Sequence, residues 1–367
     1  MPGVDKTSPL PRYLQAKRIL QDRITRGQYR PGGRLPGERD LAEDLRVSQM
    51  TVNKAVLALV DDGWLYRERG RGTFVREGFR PPLPAVLSLG AVVHVGGERP
   101  LEDFYLGSLF RGMQHAAMDE PVSLSLLHLP AEGLAERLLE ANHDALLVVG
   151  PSDSDLPALR HVRREGRRVA MLGASWTDAC LPFVDSDNRG GAEAAMEHLV
   201  SLRHRLIAGV FSLLDTCNTQ DRMLAFRRVL DHHGLRIPSA CVVTSGSEFP
   251  LSEEARRQVR ATLRLKPRPT AYFCGGYFIA LEVMRAIRED GLDVPGDVSV
   301  VGFDDPVSAS HLNPPLTTVR QPLDQMGERT VHMLLQWTRT GEEPAHGVVL
   351  PTHLLVRGSS GPAPPSD

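Results

Sequence analysis

From residue 86 onward the chain alternates between short apolar, β-branched runs and longer stretches with helical spacing, and this alternation narrows the fold more than any other feature. The runs LSLGAVVHV, VSLSLLHL, ALLVVG and RVAMLG come first, followed by FVDSDN, LIAGVF, CVVTSG, AYFCGG and VSVVGF. Between them lie stretches such as the one carrying Leu106, Leu109, Phe110, Met113 and Ala117 on one helical face. A strand that is apolar on both faces must be covered on both faces, which is the property of a parallel sheet with helices above and below it. Roughly ten strands in two series predict an α/β body of two doubly wound lobes, with a ligand cleft at the carboxyl ends of the strands.

The first 77 residues obey a different pattern. Tyr13, Ala16, Leu20 and Ile24 recur at helical spacing, and Gly27 closes that segment. A short second helix follows Pro36-Gly37, with Glu38 in its first turn and Leu41, Ala42 and Leu45 as its apolar face. A third presents Val52, Ala55, Val56, Leu59 and Val60 on one side and Gln49, Met50, Asn53 and Lys54 on the other, and ends at Gly63. Two β-patterned pieces, 64–67 and 73–76, flank Glu68-Arg69-Gly70-Arg71-Gly72. Helix, helix–turn–helix and hairpin in that order spell a winged helix-turn-helix, whose second helix of the pair enters the major groove of DNA. A hairpin rich in glycine and arginine can approach a phosphate backbone closely.

Charge divides the chain at the same place. Residues 1–80 hold 16 Lys and Arg against 10 Asp and Glu, whereas the remainder holds 27 against 35. A basic module on an acidic body fits a polyanionic partner for the module, or a solvated basic surface. The glycine- and proline-rich GFRPPLP between the two patterns reads as a semi-stiff linker.

The stretch RLPGERDLAEDLRVSQMTVNKAVLALVDDGWLYRERGRGTFV resembles the DNA-binding domain of the GntR family. That resemblance implies phosphate or guanine contact for Arg39, and a capping and phosphate-binding role for Ser48. It places Gln49, Thr51 and Asn53 against bases or backbone, and Arg69 and Gly70 along the minor groove; Met50 either reads a thymine methyl or is simply exposed. Arg12, Tyr13, Glu38, Lys54, Arg71 and Gly72 complete the expected DNA-binding set. The family often has arginine where this chain has Gln49 and Asn53, so a base preference does not carry over.

The segments VDSDNRGGAEAAMEHLVSLRHRLIAGVF and ALEVMRAIREDGLDVPGDVSVVGFDDPVSASHLNPPLTTVRQPLDQMGERTVHMLLQ resemble the LacI/GalR effector domain, a relative of periplasmic sugar-binding proteins. The implied topology has the chain crossing between lobes near 173–176 and 305–306 and, after 316–321, near 340–349. The expected organisation is a DNA-binding domain at 10–77, a linker at 78–85, a ligand-binding and dimerisation domain at 86–358, and a disordered tail at 359–367. Lobe 1 would comprise about 86–174 and 306–340, and lobe 2 about 175–305 and 345–358.

In that family an arginine early in the second lobe binds sugar hydroxyls, and Arg222 in TQDRMLAF is its counterpart. A guanidinium fork suits vicinal hydroxyls or a carboxylate. Phe104, Tyr105, Trp176 and Phe249 occupy expected cleft loops, where aromatic rings stack on apolar sugar faces. The family's Asn-Asp after the strand AYFCGG is replaced by Gly276-Tyr277, so Tyr277 would offer a ring face and hydroxyl, with Asp304 of GFDD a deeper carboxylate.

Other chemistry finds no support. The cysteines Cys180, Cys217, Cys241 and Cys274 have no metal-ribbon spacing and fit a reduced compartment. His198, His204, His232 and His233 read as helix-surface residues rather than metal ligands. No nucleophile elbow is present, and neither a cofactor nor a catalytic activity is expected. The N-terminus MPGVDKTSPLPRYL lacks a hydrophobic segment, and no apolar run is long enough for a bilayer, so a cytoplasmic protein without a membrane partner is expected. The expectation is a DNA-binding repressor of carbohydrate-utilisation genes. A homodimer would be released from an inverted-repeat operator by a small sugar-like effector. A non-sugar effector, or a body that only dimerises, is the alternative, with a solute-binding protein or an enzyme as more distant ones.

Overall fold

A computed structural model describes residues 11–365 apart from 26, 78–85, 95–103, 119, 177–179, 247–250 and 345–346. The predicted linker and Phe249 therefore lie outside the described residues. The chain forms two compact units, Met1–Pro84 and Ala85–Asp367.

The first unit contains α1 (Arg12–Thr25), α2 (Glu38–Leu45), α3 (Gln49–Asp61), β1 (Leu65–Glu68) and β2 (Gly72–Val75). Arg46 adopts a left-handed conformation (φ 56°) that stops α2. Two residues later Ser48 Oγ accepts the Thr51 N–H at 3.2 Å and starts α3. The predicted apolar stripe of α3, from Val52 to Leu59, packs on Ala16 and Leu20 of α1, Leu41 and Leu45 of α2, and Trp64, Leu65 and Val75 of the hairpin. Strands β1 and β2 are antiparallel, with Leu65 opposite Val75 and Glu68 opposite Gly72. Arg34 adds an isolated bridge to Phe74. At the hairpin tip Gly70 has φ 76°, a region that L side chains avoid.

The second unit holds two six-stranded sheets. The first comprises β3 (Leu87–His94), β4 (Val122–Leu129), β5 (Ala145–Val149), β6 (Val169–Leu172), β7 (Phe183–Ser186) and β13 (Val348–Leu350). Its order is β13-β7-β6-β5-β3-β4, and all pairs are parallel. The second comprises β8 (Ile207–Ser212), β9 (Val242–Ser245), β10 (Ala271–Cys274), β11 (Ser299–Phe303), β12 (Thr317–Arg320) and β14 (His353–Leu355). Its order is β14-β12-β11-β10-β8-β9, and only β14 runs antiparallel to its neighbour. Each sheet reverses its strand order once, beside β3 and beside β8, as a doubly wound sheet does.

Helices α4 (Phe104–Met118) and α11 (Leu323–Thr340) cover one face of the first sheet, and α5 (Leu134–Glu140) and α6 (Leu156–Arg164) the other. Helices α4 and α11 pack backbone to backbone through Gly112 and Gly327: a Cβ on Gly327 would collide with the Leu109 carbonyl oxygen, and one on Gly112 with that of Asp324. In the second lobe, α7 (Asn188–Ser201) and α8 (Cys217–His232) lie on one face, and α9 (Glu253–Leu263) and α10 (Tyr277–Glu289) on the other.

Strand pairing corrects the predicted crossings. Strand β7 pairs with β6, Met171 opposite Phe183, so lobe 1 extends to Ser186 and the first crossing is at 186–188 rather than 173–176. Strand β12 pairs with β11, Val301 opposite Thr317, so residues 306–320 belong to lobe 2 and the second crossing follows Arg320. Strand β13 returns to lobe 1 beside β7, and β14 joins lobe 2 beside β12, placing the last crossing between Leu350 and His353. A four-residue apolar strand satisfies either sheet by composition, and only its hydrogen-bond partners decide between them.

The predicted disordered tail is also corrected. Ser359 is buried: its N–H donates to the Pro315 carbonyl at 2.9 Å, its carbonyl accepts the Val300 N–H at 2.7 Å, and its Oγ accepts the Thr317 N–H at 2.8 Å. Farther on, the Ala363 N–H reaches the Leu202 carbonyl at 2.9 Å. His204, expected on a helix surface, is fully buried beneath this segment, with Nε2 3.0 Å from the Gly361 carbonyl and Nδ1 2.9 Å from Thr270 Oγ1. Burial pushes its pKa below the usual histidine range. Small residues and prolines carry no periodicity, so sequence patterns miss a segment held by its backbone.

Candidate nucleic-acid interface and effector cleft

In the first unit, the predicted DNA-binding residues gather on α3, the start of α2 and the hairpin. Gln49 and Met50 project from the first turn of α3, Met50 being 81% exposed. Ser48 Oγ is 2.8 Å from Thr51 Oγ1, so both hydroxyls serve the cap of that helix. Arg39 is exposed and stands 3.6 Å from Glu43, a loose surface pair of little energetic consequence. Arg69 and Gly70 are exposed at the hairpin tip, and Arg71 pairs with Glu68 at 2.5 Å. Arg12 is exposed at the start of α1, and the half-buried Tyr13 ring lies 4.1 Å beneath Lys54 Nζ.

Two cations that carried no sequence signal join this surface. Arg34 and Arg67 line a concavity of about 570 Å³ between α2 and the hairpin, together with Glu38, Arg69, Arg71 and Thr73. Gly72 has φ 123° there, a conformation that L side chains rarely adopt. Arg67 Nη2 donates to Glu38 Oε1 at 2.5 Å, and Asn53 Nδ2 lies 2.9 Å from each Glu38 oxygen. Glu38 and Asn53 are thus half-buried partners rather than two independent surface groups.

In the second unit, a buried polar chain runs through two of the lobe crossings. Asp185 accepts the Ser186 N–H at 2.8 Å and the Asn188 amide at 3.3 Å. Asn188 Oδ1 accepts Arg222 Nε at 2.9 Å, and Arg222 Nη1 donates to the Gly275 carbonyl at 2.6 Å. The same nitrogen is 4.0 Å from Asp304, whose carboxylate accepts from Gln321, and Gln321 in turn accepts from Ser186 Oγ at 2.5 Å. The Arg222 guanidinium also lies 3.7 Å from the centre of the Phe303 ring. Burial pushes the Asp185 carboxyl up to about 7 despite the neighbouring Ser186 N–H, Ser175 and Arg222. The predicted Arg222 and Asp304 are brought together here. Asp185, Ser186 and Asn188, within the VDSDN segment, and Gln321 were not singled out as site residues, because no local spacing links them to Arg222.

Contacts between the lobes surround this chain. Asn218 Nδ2 donates to the Gly173 carbonyl at 3.0 Å, the Ser175 N–H reaches Cys217 Sγ at 3.2 Å, and the Asp153 N–H reaches the Asp215 carbonyl at 2.9 Å. The predicted Phe104 and Tyr277 also meet here, edge to face with ring centres 5.9 Å apart. Tyr277 is buried and its hydroxyl donates to Ser308 Oγ at 2.8 Å, so that hydroxyl is engaged within the protein. Tyr105 approaches Gly173 closely enough to exclude any side chain there. Trp176 is half-buried against lobe 1, and its buried Nε1 donor has no hydrogen-bond partner among the described residues.

All four cysteines are free thiols, and among the described residues no cluster of three or more His, Cys, Asp or Glu could hold a metal ion. No described helix is long and apolar enough to cross a membrane.

Comparison with known families separates the two units in the same way. Residues 12–75 match the family described as bacterial regulatory proteins, gntR family, and residues 196–360 match the periplasmic binding protein-like domain. The chain is a transcription regulator that joins a GntR-type DNA-binding domain to a periplasmic binding protein-like domain. It is 28% identical to the arabinose metabolism transcriptional repressor of Geobacillus stearothermophilus, over 97% of this chain and 99% of that one. It is 27% identical to the ribose operon repressor of Escherichia coli strain K12, over 70% of this chain and 78% of that one. Among solved structures, a LacI family transcriptional regulator from Mycobacterium smegmatis superimposes with a TM-score of 0.64 at 26% identity, covering 75% of this chain and 99% of that one. The body of this regulator therefore has the fold expected from its VDSDN and GFDD segments.

Proposed function

We propose that this regulator represses carbohydrate-utilisation genes in the cytoplasm as a homodimer on an inverted-repeat operator, and that a sugar-like effector bound between the lobes releases it. In the DNA-binding unit, α3 enters the major groove while Arg69 to Gly72 follow the minor groove, and Arg39 and Lys54 meet phosphates. The effector reading rests above all on Arg222: a guanidinium buried where the lobes cross, beside Asp304, Asn188 and Gln321, is a hydrogen-bonding cluster suited to hydroxyls. Trp176 Nε1, buried and without a partner among the described residues, adds a donor for a ligand oxygen. The sugar class follows the names of the similar arabinose and ribose repressors. An effector that favours one lobe arrangement shifts DNA affinity only by its differential binding, typically about 1–3 kcal/mol.

A second reading keeps the repressor but makes the body a dimerisation module without effector. Its support is the internal saturation of the cleft: Arg222 is bonded to Asn188 and Gly275, and the Tyr277 hydroxyl to Ser308.

One set of titrations tests both readings. Operator DNA is bound by wild type, Arg39→Ala and Arg71→Ala across a salt series, with and without pentoses, hexoses, sugar acids and sugar phosphates. Each arginine variant is expected to bind more weakly and to reduce the salt slope by about one. A sugar that weakens wild-type binding supports the effector reading. If every compound leaves affinity unchanged, the dimerisation body stands instead. Unchanged affinity in both arginine variants refutes the proposed DNA surface.

A further inference from the structure

Asn53 stands on the DNA-facing side of α3, and what it can say to a base depends on which way its amide is turned. An asparagine side chain offers a carbonyl acceptor and an NH2 donor, and a half-turn about its last bond exchanges the two. A free asparagine therefore adapts to bases that donate and to bases that accept. Asn53 is not free in this sense, because its neighbour is a carboxylate, which only accepts.

Glu38 turns both oxygens on the amide, with Nδ2 at 2.9 Å from Oε1 and 2.9 Å from Oε2. The half-turned arrangement would set the amide oxygen against two carboxylate oxygens, with no hydrogen between them. Glu38 is itself held from the hairpin by Arg67 Nη2 at 2.5 Å. The carboxylate sits at the first position of α2, where the positive end of the helix favours it. Its orientation is thus set from the hairpin and from its own helix, and the amide follows. The nitrogen of Asn53 faces Glu38, and its carbonyl oxygen faces away.

We propose that the Arg67–Glu38 pair fixes the Asn53 amide in one orientation, with one N–H spent on Glu38 and the carbonyl turned away from it, so that α3 favours a base that donates an exocyclic amino group in the major groove. Adenine N6 and cytosine N4 donate there, whereas guanine and thymine present only acceptors. Glu38 and Arg67 are positioning residues, since they act on the base through Asn53. This inference rests on the placement of α3 in the major groove. It adds that an acidic residue outside the recognition helix decides what that helix reads.

The test is selection of binding sites from a pool of random DNA duplexes by the full-length protein. Four forms are compared: wild type, Asn53→Ala, Glu38→Gln and Arg67→Gln. The position whose preference disappears in Asn53→Ala is the one read by that residue. At that position wild type is expected to favour adenine or cytosine over guanine or thymine by about tenfold. Glu38→Gln, whose amide both donates and accepts, lets Asn53 turn, and the preference at that position falls to about twofold. Arg67→Gln moves the preference in the same direction. Preferences retained elsewhere show that the variants remain folded. Selection of guanine or thymine at that position by wild type overturns the lock, as does an unaltered preference in Glu38→Gln. Loss of no positional preference in Asn53→Ala overturns it as well. Failure of wild type to enrich any sequence is a different result, and refutes the major-groove placement on which the lock depends.

Discussion

Arg222 donates from Nη1 to the carbonyl oxygen of Gly275 at 2.6 Å, tying α8 to the carboxyl end of β10. The residues after β10 are Gly275-Gly276, so this arginine meets main chain there. Removing the guanidinium leaves a buried Asp304 without its cation and the Asn188 and Gly275 oxygens without their donor. Arg222→Ala is therefore expected to destabilise the body by about 3 kcal/mol and to abolish any effector-induced thermal shift. Arg222→Lys restores the charge without the fork and recovers only part of the stability. Chemical denaturation of the three proteins, each with and without effector, separates these outcomes; equal stability in Arg222→Ala refutes the structural part.

Asp185 makes the body sensitive to pH. Its folded-state pKa, near 7, lies above the ordinary 3.8, so the folded chain keeps a proton that the unfolded chain has already released. Its contribution to stability is complete below 3.8 and is lost as pH rises to about 7. Asp185→Asn carries no such titration. Urea unfolding at pH 5 and pH 8 is expected to show a larger fall for wild type than for the variant. Identical pH dependence in the two proteins counts against the assignment.

The contact between α4 and α11 leaves no room for a methyl group at Gly327. Gly327→Ala forces the helices apart, and helix propensity alone, which favours alanine by about 1 kcal/mol, works in the opposite direction. Overpacking is expected to prevail, with a net loss of about 2 kcal/mol in urea unfolding. A more stable variant would mean that α11 can move away at little cost.

Truncation after Arg357 tests the C-terminal segment. It removes the acceptor of the Val300 N–H, the acceptor of the Thr317 N–H and the Gly361 carbonyl beside His204. Buried donors left unpaired cost about 1–3 kcal/mol each, so the melting temperature is expected to fall by roughly 5 °C or more. A melting curve identical to that of the full chain would show the segment to be dispensable.

Much of this molecule was legible before its folding was known. Val52, Ala55, Val56 and Leu59 marked the buried face of α3, because a helix repeats its face every three or four residues, and the family resemblance pointed to Ser48 as its cap. The alternating apolar runs likewise announced parallel sheets. The site was harder to read. Arg222 and Asp304 stood out only through resemblance, and their partners Asn188 and Gln321 come from segments more than a hundred residues apart.

Local spacing and composition were thus enough to determine the winged head, the α/β body and the charge division between them, since these depend on interactions between near neighbours along the chain. Which sheet received β7, β12 and β13 depended on hydrogen bonds between distant strands. The burial of His204 depended on a tail that returns across lobe 2, and the orientation of Asn53 on a carboxylate in another helix. Those features were decided by tertiary structure alone, because backbone pairing and side-chain enclosure have no period that a single segment can display.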